Sequence, residues 1–181
     1  MQHSLPQTAR VQCRCICIYS NTKGDGGGHC PFVYGEDMEF TVKKYNQLTV
    51  DELYELLKLR CAVFVVEQNC PYQDIDGKDR DAYHVFAKAD DGSIKACLRF
   101  FEKDADTAYM GRVITVDRGT GMGAKLLAAG IRAVRENTDK KQIYLEAQSY
   151  AVGFYEKSGF SVIGEEFDED GIPHKPMMYK L

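Results

Sequence analysis

A glycine-rich loop that contains one arginine connects a buried-type strand to a predicted helix. Residues 113–116 (Val-Ile-Thr-Val) are typical of a strand, and Asp117 separates them from Arg118 and the sequence Gly-Thr-Gly-Met-Gly-Ala. Where a strand and a glycine turn lead into a helix, free backbone N–H groups and the positive end of the helix dipole face an anion. Glycines permit close backbone approach, and the arginine adds a charged donor. This arrangement is suited to binding phosphate groups.

The spacing of the glycines keeps a structural alternative open. Glycines at 119, 121 and 123 follow G-x-G-x-G, which is not the dinucleotide pattern G-x-G-x-x-G, and no G-K-[ST] of a nucleoside triphosphate loop follows. A tight strand-to-helix turn with close packing would use the same glycines. The loop alone therefore leaves anion binding and a packing role open.

The segments on both sides of the loop predict alternating strands and helices. Thr49 followed by Glu52 is a capping box, and apolar residues at helical spacing continue to Phe64. Further helices are predicted over residues 121–137 and 151–157. Strands are predicted over residues 39–45, 83–89, 94–101, 108–116, 143–147, 160–166 and 177–181. This order predicts an α/β or α+β domain in which helices flank a mixed central sheet.

Composition indicates an ordinary globular protein and argues against several other classes. Of the 181 residues, 44% are hydrophobic and 28% are charged, which suits one domain with or without a tail. The net charge of −4 argues against a broad nucleic-acid-binding surface. No stretch approaches the ~18 apolar residues of a membrane span, and the N-terminus lacks the apolar segment of a secretory signal. We expect a cytoplasmic protein with reduced thiols.

Residues 1–37 differ from the rest of the chain, because regular patterning begins only at Met38. We predict that they form a flexible N-terminal extension and that residues 38–181 form the domain. Four cysteines and a histidine in this segment invite a metal-binding interpretation: Cys13, Cys15, Cys17, His29 and Cys30. Structural zinc sites usually separate paired cysteines by two to four residues, so C-x-C-x-C fits poorly and no metal site is predicted.

Four ordered motifs give residues 38–181 a specific resemblance to a known family. The loop matches R-x-x-G-x-G, the coenzyme A loop of the GCN5-related N-acetyltransferases (GNAT). Residues 148–160 (QSYAVGFYEKSGF) resemble that family's last helix, with its F-Y-x-x-x-G-F ending. Residues 59–77 (LRCAVFVVEQNCPYQDIDG) and 169–174 (EDGIPH) closely resemble the ElaA-like branch. The resemblance implies a GNAT-like sheet and an acetyl-CoA-dependent N-acetyltransferase.

The resemblance also implies which residues contact acetyl-CoA. The pantetheine arm would pair with the backbone of Ile114 and Val116 in the strand before the loop. Gln148 occupies the position of an asparagine that often contacts the cofactor in this family, and its amide has similar hydrogen-bonding groups. Arg118 would lie near the pyrophosphate. The backbone N–H groups that would bind the pyrophosphate belong to Gly119, Gly121, Met122, Gly123 and Ala124.

Acetyl transfer to an amine makes three chemical demands on the site. The amine must be neutral to attack a thioester, so a protonated substrate needs a base. The oxyanion needs a donor, for which a backbone N–H on the cofactor strand is suited. The leaving thiolate needs a proton, and the family's general acid maps onto Tyr155. Because a tyrosine has a pKa of ~10 and a thiol ~8.5, Tyr155 would act mainly as a hydrogen-bond donor unless the site lowers its pKa.

The sequence leaves several questions of chemistry open. Glu67 and His84 are the two candidate bases, with His174 as the next candidate. Acidic residues 74–81 and 165–170 would favour a polyamine or lysine-like acceptor if they flank the cleft. The expected acceptor is a primary amine of a small molecule or peptide, and a homodimer stays an open alternative to a monomer. Two non-enzymatic alternatives are a coenzyme A-binding regulatory domain and a metal-binding regulator.

Overall fold

A mixed sheet forms the centre of the computed structural model, which describes residues 38–181. The strands are β1 (Thr41–Lys44), β2 (Tyr83–Lys88), β3 (Ile94–Glu102), β4 (Thr107–Thr115), β5 (Gln142–Gln148), β6 (Ser161–Val162), β7 (Phe167–Glu169) and β8 (Ile172–Lys180). Their spatial order is β1-β2-β3-β4-β5-β8-β6, and β7 pairs with β8. Only the β4–β5 pair is parallel within this sheet. The predicted mixed sheet flanked by helices is confirmed. Residues 1–37, including the predicted extension and its cysteines, lie outside the described residues.

The α-helices of the described residues are α1 (Val50–Arg60), α2 (Met122–Asn137) and α3 (Val152–Lys157). Helices α2 and α3 agree with the prediction to within one residue, whereas α1 ends at Arg60, before the predicted Phe64. At the start of α1, the Thr49 hydroxyl accepts a hydrogen bond from the Glu52 N–H at 3.1 Å. The Glu52 carboxylate in turn accepts one from the Thr49 N–H at 2.9 Å, so the predicted capping box is confirmed. After α1 the chain continues as a π-helical turn over Cys61–Glu67.

Helices α1 and α2 cover opposite faces of the sheet, because side chains alternate between the two faces of each strand. Val85 and Leu98 pack in the core cluster that contains Leu126 and Leu127 of α2. The neighbouring Phe86 packs instead with Leu56 of α1. In β5, burial alternates strictly, so that Ile143, Leu145 and Ala147 are buried and the residues between them are partly exposed. The sheet therefore carries an apolar cluster on each face.

The predicted strand over residues 160–166 is wrong in its extent. Only Ser161–Val162 forms β6, and the separate strand β7 follows at Phe167–Glu169. The Ile163 N–H donates to the Pro176 carbonyl at 2.9 Å, but Pro176 has no N–H with which to continue the ladder. Gly164 also lies so close to this proline that a Cβ would be 2.8 Å from its Cγ. Strand β8 is correspondingly longer than predicted, since it begins at Ile172.

The parallel strands β4 and β5 separate partway along their length. They pair only from Thr107 to Tyr109 on β4, against Gln142 to Tyr144 on β5. Beyond Tyr109, β4 remains paired with β3 on its other side, and beyond Tyr144, β5 remains paired with β8. The facing edges of β4 and β5 therefore present unpaired backbone groups to the gap between them. In the part of the chain that is described, no helix combines the length and apolar character needed to cross a bilayer.

Candidate active site

The gap between β4 and β5 opens into a cavity of about 900 Å³. Its lining includes residues of both strands: Met110 to Thr115 on β4, and Leu145, Glu146 and Gln148 on β5. One end is bounded by the glycine loop, and Tyr155 lies along the wall. A cavity of this size is within the range of small-molecule sites. The structure therefore brings the predicted phosphate loop and the predicted general acid to the same space.

The glycine loop has the backbone conformation that its glycines allow. Gly119 and Gly121 have φ values of +77° and +84°, in the left-handed region that side chains disfavour. A Cβ at either position would meet no atom within 4 Å, so both backbones border open space. By contrast, a Cβ on Gly123 would lie 3.2 Å from the ring of Phe154. Gly119 and Gly121 are thus open to a ligand, whereas Gly123 is needed for packing as well.

The register of β4 determines which backbone groups face the cavity. The Val116 N–H donates to the Lys95 carbonyl at 2.8 Å, toward β3. Successive residues of a strand direct their backbone groups to opposite edges, so those of Ile114 also face β3. The backbone groups of Thr115 face the opening instead, one residue out of step with the predicted pair. Met122 is absent from the cavity lining, whereas Gly119, Gly121, Gly123 and Ala124 belong to it.

A β-bulge interrupts β4 in the middle of the opening. Between the pairs formed by Cys97 and Arg99 on β3, two residues of β4 oppose one, and Arg112 has a φ of +56°. Such a conformation is unfavourable for a non-glycine residue and persists only where the surroundings hold it. The Arg112 guanidinium lies 2.7 Å from the Asp74 carboxylate and over the ring of Tyr72 at 5.4 Å. The bulge is therefore anchored to the loop that carries these two residues.

Buried charges hold that loop against the sheet. Arg60 and Arg99 are each about 2% exposed, and both bind the carboxylate of Asp79, at 2.6 and 2.8 Å. Arg60 also binds Asp74, and Arg99 binds Asp76 at 2.8 Å. Burial raises the pKa of Asp76, but the hydrogen bonds and charge of Arg99 outweigh it and lower that pKa to about 2. Asp74, Asp76 and Asp79 of the acidic segment 74–81 thus form an ion-pair layer with buried arginines.

His84 belongs to this buried layer and does not line the cavity. It is 2% exposed, and its Nε2 lies 3.1 Å from the Asp79 carbonyl oxygen, so the neutral ring carries its hydrogen on Nε2. Burial lowers the pKa of His84, and the hydrogen bond to Asp79 only partly opposes this effect. A structural role explains these contacts.

Glu67 pairs with the arginine of the phosphate loop. Its carboxylate lies at the end of the π-helical turn, with Oε1 2.8 Å from Arg118 Nη1 and Oε2 accepting a hydrogen bond from Nη2 at 3.0 Å. The candidate base and the candidate phosphate ligand therefore contact each other. Sequence reasoning missed this contact because the residues are far apart in the chain. A phosphate at the loop would compete with Glu67 for the guanidinium.

Tyr155 lines the cavity and packs edge-on against Phe154 and Phe160. Within residues 38–181, its hydroxyl has no hydrogen-bond partner. Burial, and to a lesser degree the nearby Tyr150, raises the pKa of Tyr155 well above its usual value. The phenol therefore stays protonated at neutral pH and keeps its hydrogen available to a ligand. The nearby Gln148 also lines the cavity, where its amide bonds to Gln68 at 3.2 Å and accepts the Tyr150 hydroxyl.

His174 faces the same cavity with one ring nitrogen available. Its Nδ1 lies 2.8 Å from the Ile172 carbonyl oxygen, so the neutral ring carries its hydrogen on Nδ1. Nε2 then has a free lone pair and lies 3.8 Å from a carboxylate oxygen of Glu169. The residue pairs with Gln148 across the β5–β8 ladder, next to the opening. Among the three candidate bases, His174 alone combines a cavity position with an acceptor nitrogen.

A carboxylate that sequence reasoning overlooked lies on β5. Glu146 accepts hydrogen bonds from the hydroxyls of Tyr109, at 2.7 Å, and Tyr144, at 2.9 Å. Glu146 and Tyr109 line the cavity. A signal for them was present, since Tyr144, Glu146 and Gln148 make one face of a predicted inner strand polar. A polar face in the middle of a sheet indicates that the face is open to a cavity.

Comparison with known proteins finds similarity over most of the chain. The model of the acetyltransferase (GNAT) domain family matches residues 43–181. ElaA of Escherichia coli K12 is 42% identical over 136 residues, which are 72% of this chain and 88% of ElaA. The ElaA crystal structure has a TM-score of 0.73 and covers 79% of this chain and 99% of its own, at 39% identity.

Two further solved structures share the fold. An acyl-CoA N-acyltransferase of Pseudomonas aeruginosa has a TM-score of 0.71 at 37% identity, covering 78% of this chain and 99% of its own. A GNAT family acetyltransferase of Elizabethkingia anophelis, solved with acetyl-CoA bound, has a TM-score of 0.58 at 17% identity, covering 81% and 99%. The second likeness concerns the fold alone.

Proposed function

The chain belongs to the GNAT acetyltransferase family, in its ElaA-like branch, and from this premise we propose that it transfers an acetyl group from acetyl-CoA to a primary amine. One observation carries the proposal: the glycine loop, the gap between β4 and β5, and Tyr155 border a single cavity. A phosphate-binding loop alone would suit many proteins. Its combination with unpaired strand edges and a protonated phenol suits a thioester cofactor and the chemistry at its sulfur.

The site fits acetyl-CoA along its length. Gly119 and Gly121 leave open space where pyrophosphate oxygens would meet the backbone N–H groups at the start of α2, and Arg118 adds a charged donor. The pantetheine arm contains amides, which would pair with the backbone of Thr115 along the gap. The related fold of the Elizabethkingia enzyme, solved with acetyl-CoA, supports the same cofactor.

The proposed reaction uses a backbone N–H at the β4 bulge, the hydroxyl of Tyr155 and a base. The neutral amine attacks the thioester carbonyl, and a backbone N–H at the Arg112 bulge donates to the oxyanion that forms. The intermediate collapses when the carbon–sulfur bond breaks, and the thiolate accepts a hydrogen bond from Tyr155. Because burial raises the pKa of Tyr155, the phenol keeps its proton and stabilises the thiolate by donating a hydrogen bond. The thiolate then takes its proton from solvent.

We assign the base to His174 in preference to Glu67 and His84. His174 Nε2 is a free acceptor within the cavity, and Glu169 would stabilise the imidazolium after proton transfer. Glu67 is engaged with Arg118, and His84 is enclosed in the ion-pair layer. The amine would therefore give its proton to His174, directly or through one water molecule.

A thiol-release assay with a panel of primary amines tests the proposed function. We expect acetyl-CoA to be consumed only when an amine is present, with one acetylated amine formed for each thiol released. The alternative, a coenzyme A-binding regulatory domain, predicts binding without any amine-dependent release. Release of thiol without an acetylated product would instead indicate hydrolysis and would contradict the proposal.

A further inference from the structure

Glu146 is a carboxylate in the cavity that lacks a cationic partner. Its two oxygens accept hydrogen bonds from the hydroxyls of Tyr109 and Tyr144, one each. No lysine or arginine of the described region, residues 38–181, forms an ion pair with it. An ionised carboxylate in a partly enclosed site ordinarily has a cationic partner. The missing partner therefore points to a positively charged ligand group.

The surroundings of Glu146 also attract cations. Tyr109 stacks on Phe101, with ring centroids 5.0 Å apart, and lies 5.8 Å from the ring of Tyr144. Two ammonium groups of the chain itself lie over these rings: Lys103 Nζ is 4.4 Å from the Tyr144 centroid, and Lys78 Nζ is 5.6 Å from that of Phe101. Aromatic faces bind ammonium groups in this manner. Both lysines leave the Glu146 carboxylate unpaired.

Burial and the neighbouring carboxylates raise the pKa values of Tyr109 and Tyr144. Burial raises the pKa of Tyr144 to about 12, and the hydrogen bond to Glu146 and the charges of Glu146 and Glu169 add to the effect. The same causes raise the pKa of Tyr109. Glu169 and Asp170 contribute further negative charge where β7 borders the cavity. The two tyrosines therefore stay protonated and remain hydrogen-bond donors to Glu146.

Glu146 and its anchor Tyr109 are separated along their strands from the residues of the proposed reaction centre. Along β5 it precedes Gln148, the partner of His174, by two residues, which is about 7 Å in an extended strand. Its anchor Tyr109 precedes the Arg112 bulge by three residues, about 10 Å. An amine that attacks the thioester at the bulge would not reach the Glu146 carboxylate with the same nitrogen. The cation at Glu146 is consequently a second charged group of the acceptor.

We propose that Glu146, held by Tyr109 and Tyr144 beside the ring of Phe101, binds the distal ammonium group of a diamine acceptor. This assignment rests on the proposed N-acetyltransferase function and adds the class of substrate. The acceptor would be a flexible aliphatic amine with two positive charges, of the polyamine or lysine side-chain type. One amino group would lie at the bulge and His174, and the other at Glu146.

Two probes of equal chain length isolate the contribution of the distal charge. They are 1,5-diaminopentane and 5-amino-1-pentanol, which differ only in having an ammonium or a hydroxyl at the far end. For the full-length protein we expect kcat/KM to be at least about tenfold higher for the diamine, in line with a charge-assisted hydrogen bond. In Glu146→Gln the diamine should lose most of this advantage. Glu136→Gln on the exposed face of α2 makes the same change of charge outside the cavity, and the advantage should persist there.

Calorimetry with 1,5-diaminopentane in the presence of coenzyme A separates this proposal from the proposed function. Binding that weakens about tenfold in Glu146→Gln but not in Glu136→Gln supports the diamine site, even if no acetyl transfer occurs with either probe. No diamine binding, or equal binding by Glu146→Gln and the unchanged protein, overturns it. An equal loss of rate for both probes in Glu146→Gln also overturns it, because Glu146 would then act on the reacting nitrogen.

Discussion

The role proposed for Tyr155 depends on the surroundings of its ring and its hydroxyl. The ring is packed between two phenylalanines, and the residue lines the cavity without a hydrogen-bond partner for its hydroxyl within residues 38–181. Tyr155→Phe removes only the oxygen, so we expect kcat to fall by tenfold or more with little change in acetyl-CoA affinity, as for a group that acts in the transition state. Steady-state kinetics and cofactor titration would measure both quantities. Tyr179→Phe, which alters a tyrosine outside the cavity lining, serves as the matched control. A wild-type kcat in Tyr155→Phe would assign the residue to packing alone, provided that chemistry limits the rate.

The three candidate bases differ in what their removal should change. In His174→Gln we expect a lower rate at neutral pH that partly recovers at high pH, where more of the amine is already neutral. Glu67→Gln should mainly alter cofactor binding, because Glu67 contacts Arg118. Rates of the variants from pH 6 to pH 10 would distinguish these outcomes. If His174→Gln has the same pH–rate profile as the unchanged protein, His174 is not the base, and Glu67 or solvent accepts the amine proton.

His84 should affect stability and leave the pH dependence of the reaction unchanged. Burial lowers its pKa below the 6.5 of a free histidine, so the unfolded chain binds a proton before the folded one does as pH falls. Stability should therefore drop below about pH 6.5, at up to about 1.4 kcal/mol per pH unit, and His84→Gln should reduce this pH dependence. Urea unfolding at pH 7.5 and pH 5.5 would measure it. An equal loss of stability at the lower pH in His84→Gln and in the unchanged protein would show that folding does not lower the pKa of His84.

At the scale of elements, the bulge in β4 links the ion-pair layer to the cavity. Arg112 holds a left-handed backbone conformation and pairs with Asp74. Arg112→Ala and Arg112→Gly both remove the ion pair, but only glycine adopts this conformation freely. We expect the alanine variant to be less stable by about 1 kcal/mol, as measured by urea unfolding. Equal stability of the two variants would mean that the backbone strain is relieved elsewhere.

Whether a feature could be predicted from the sequence depends on how far apart in the chain its interacting residues are. The cap formed by Thr49 and Glu52 spans three residues, so its signal is complete in the local sequence. The contact of Glu67 with Arg118 and that of Tyr109 with Glu146 depend on how distant strands and helices are brought together. The register of Val116 with Lys95 likewise determines which backbone groups of β4 face the gap. Elements were predicted from local patterns, whereas the polar contacts of the site required the assembled sheet.

At the scale of the whole molecule, the described residues form an eight-stranded sheet with an apolar cluster on each face. Residues 38–181 contain both apolar clusters and every contact on which the proposed chemistry depends. We expect a chain truncated to these residues to fold and to bind acetyl-CoA with an affinity close to that of the full chain. Thermal unfolding and calorimetry of the two chains would check this. A large loss of melting temperature would show that the domain needs residues 1–37.

Binding of coenzyme A to a Gly121→Asp variant, measured by calorimetry, tests the central claim most directly. The aspartate would place a side chain and a negative charge in the open space beside the loop, where we assign the pyrophosphate. We predict a loss of affinity of about tenfold or more in a folded protein. Gly92→Asp is the matched control, since Gly92 has a φ of +81°, similar open space, and a position in the β2–β3 turn away from the cavity. Unchanged coenzyme A affinity in folded Gly121→Asp would contradict the assignment of the loop to phosphate, and with it the proposed cofactor site.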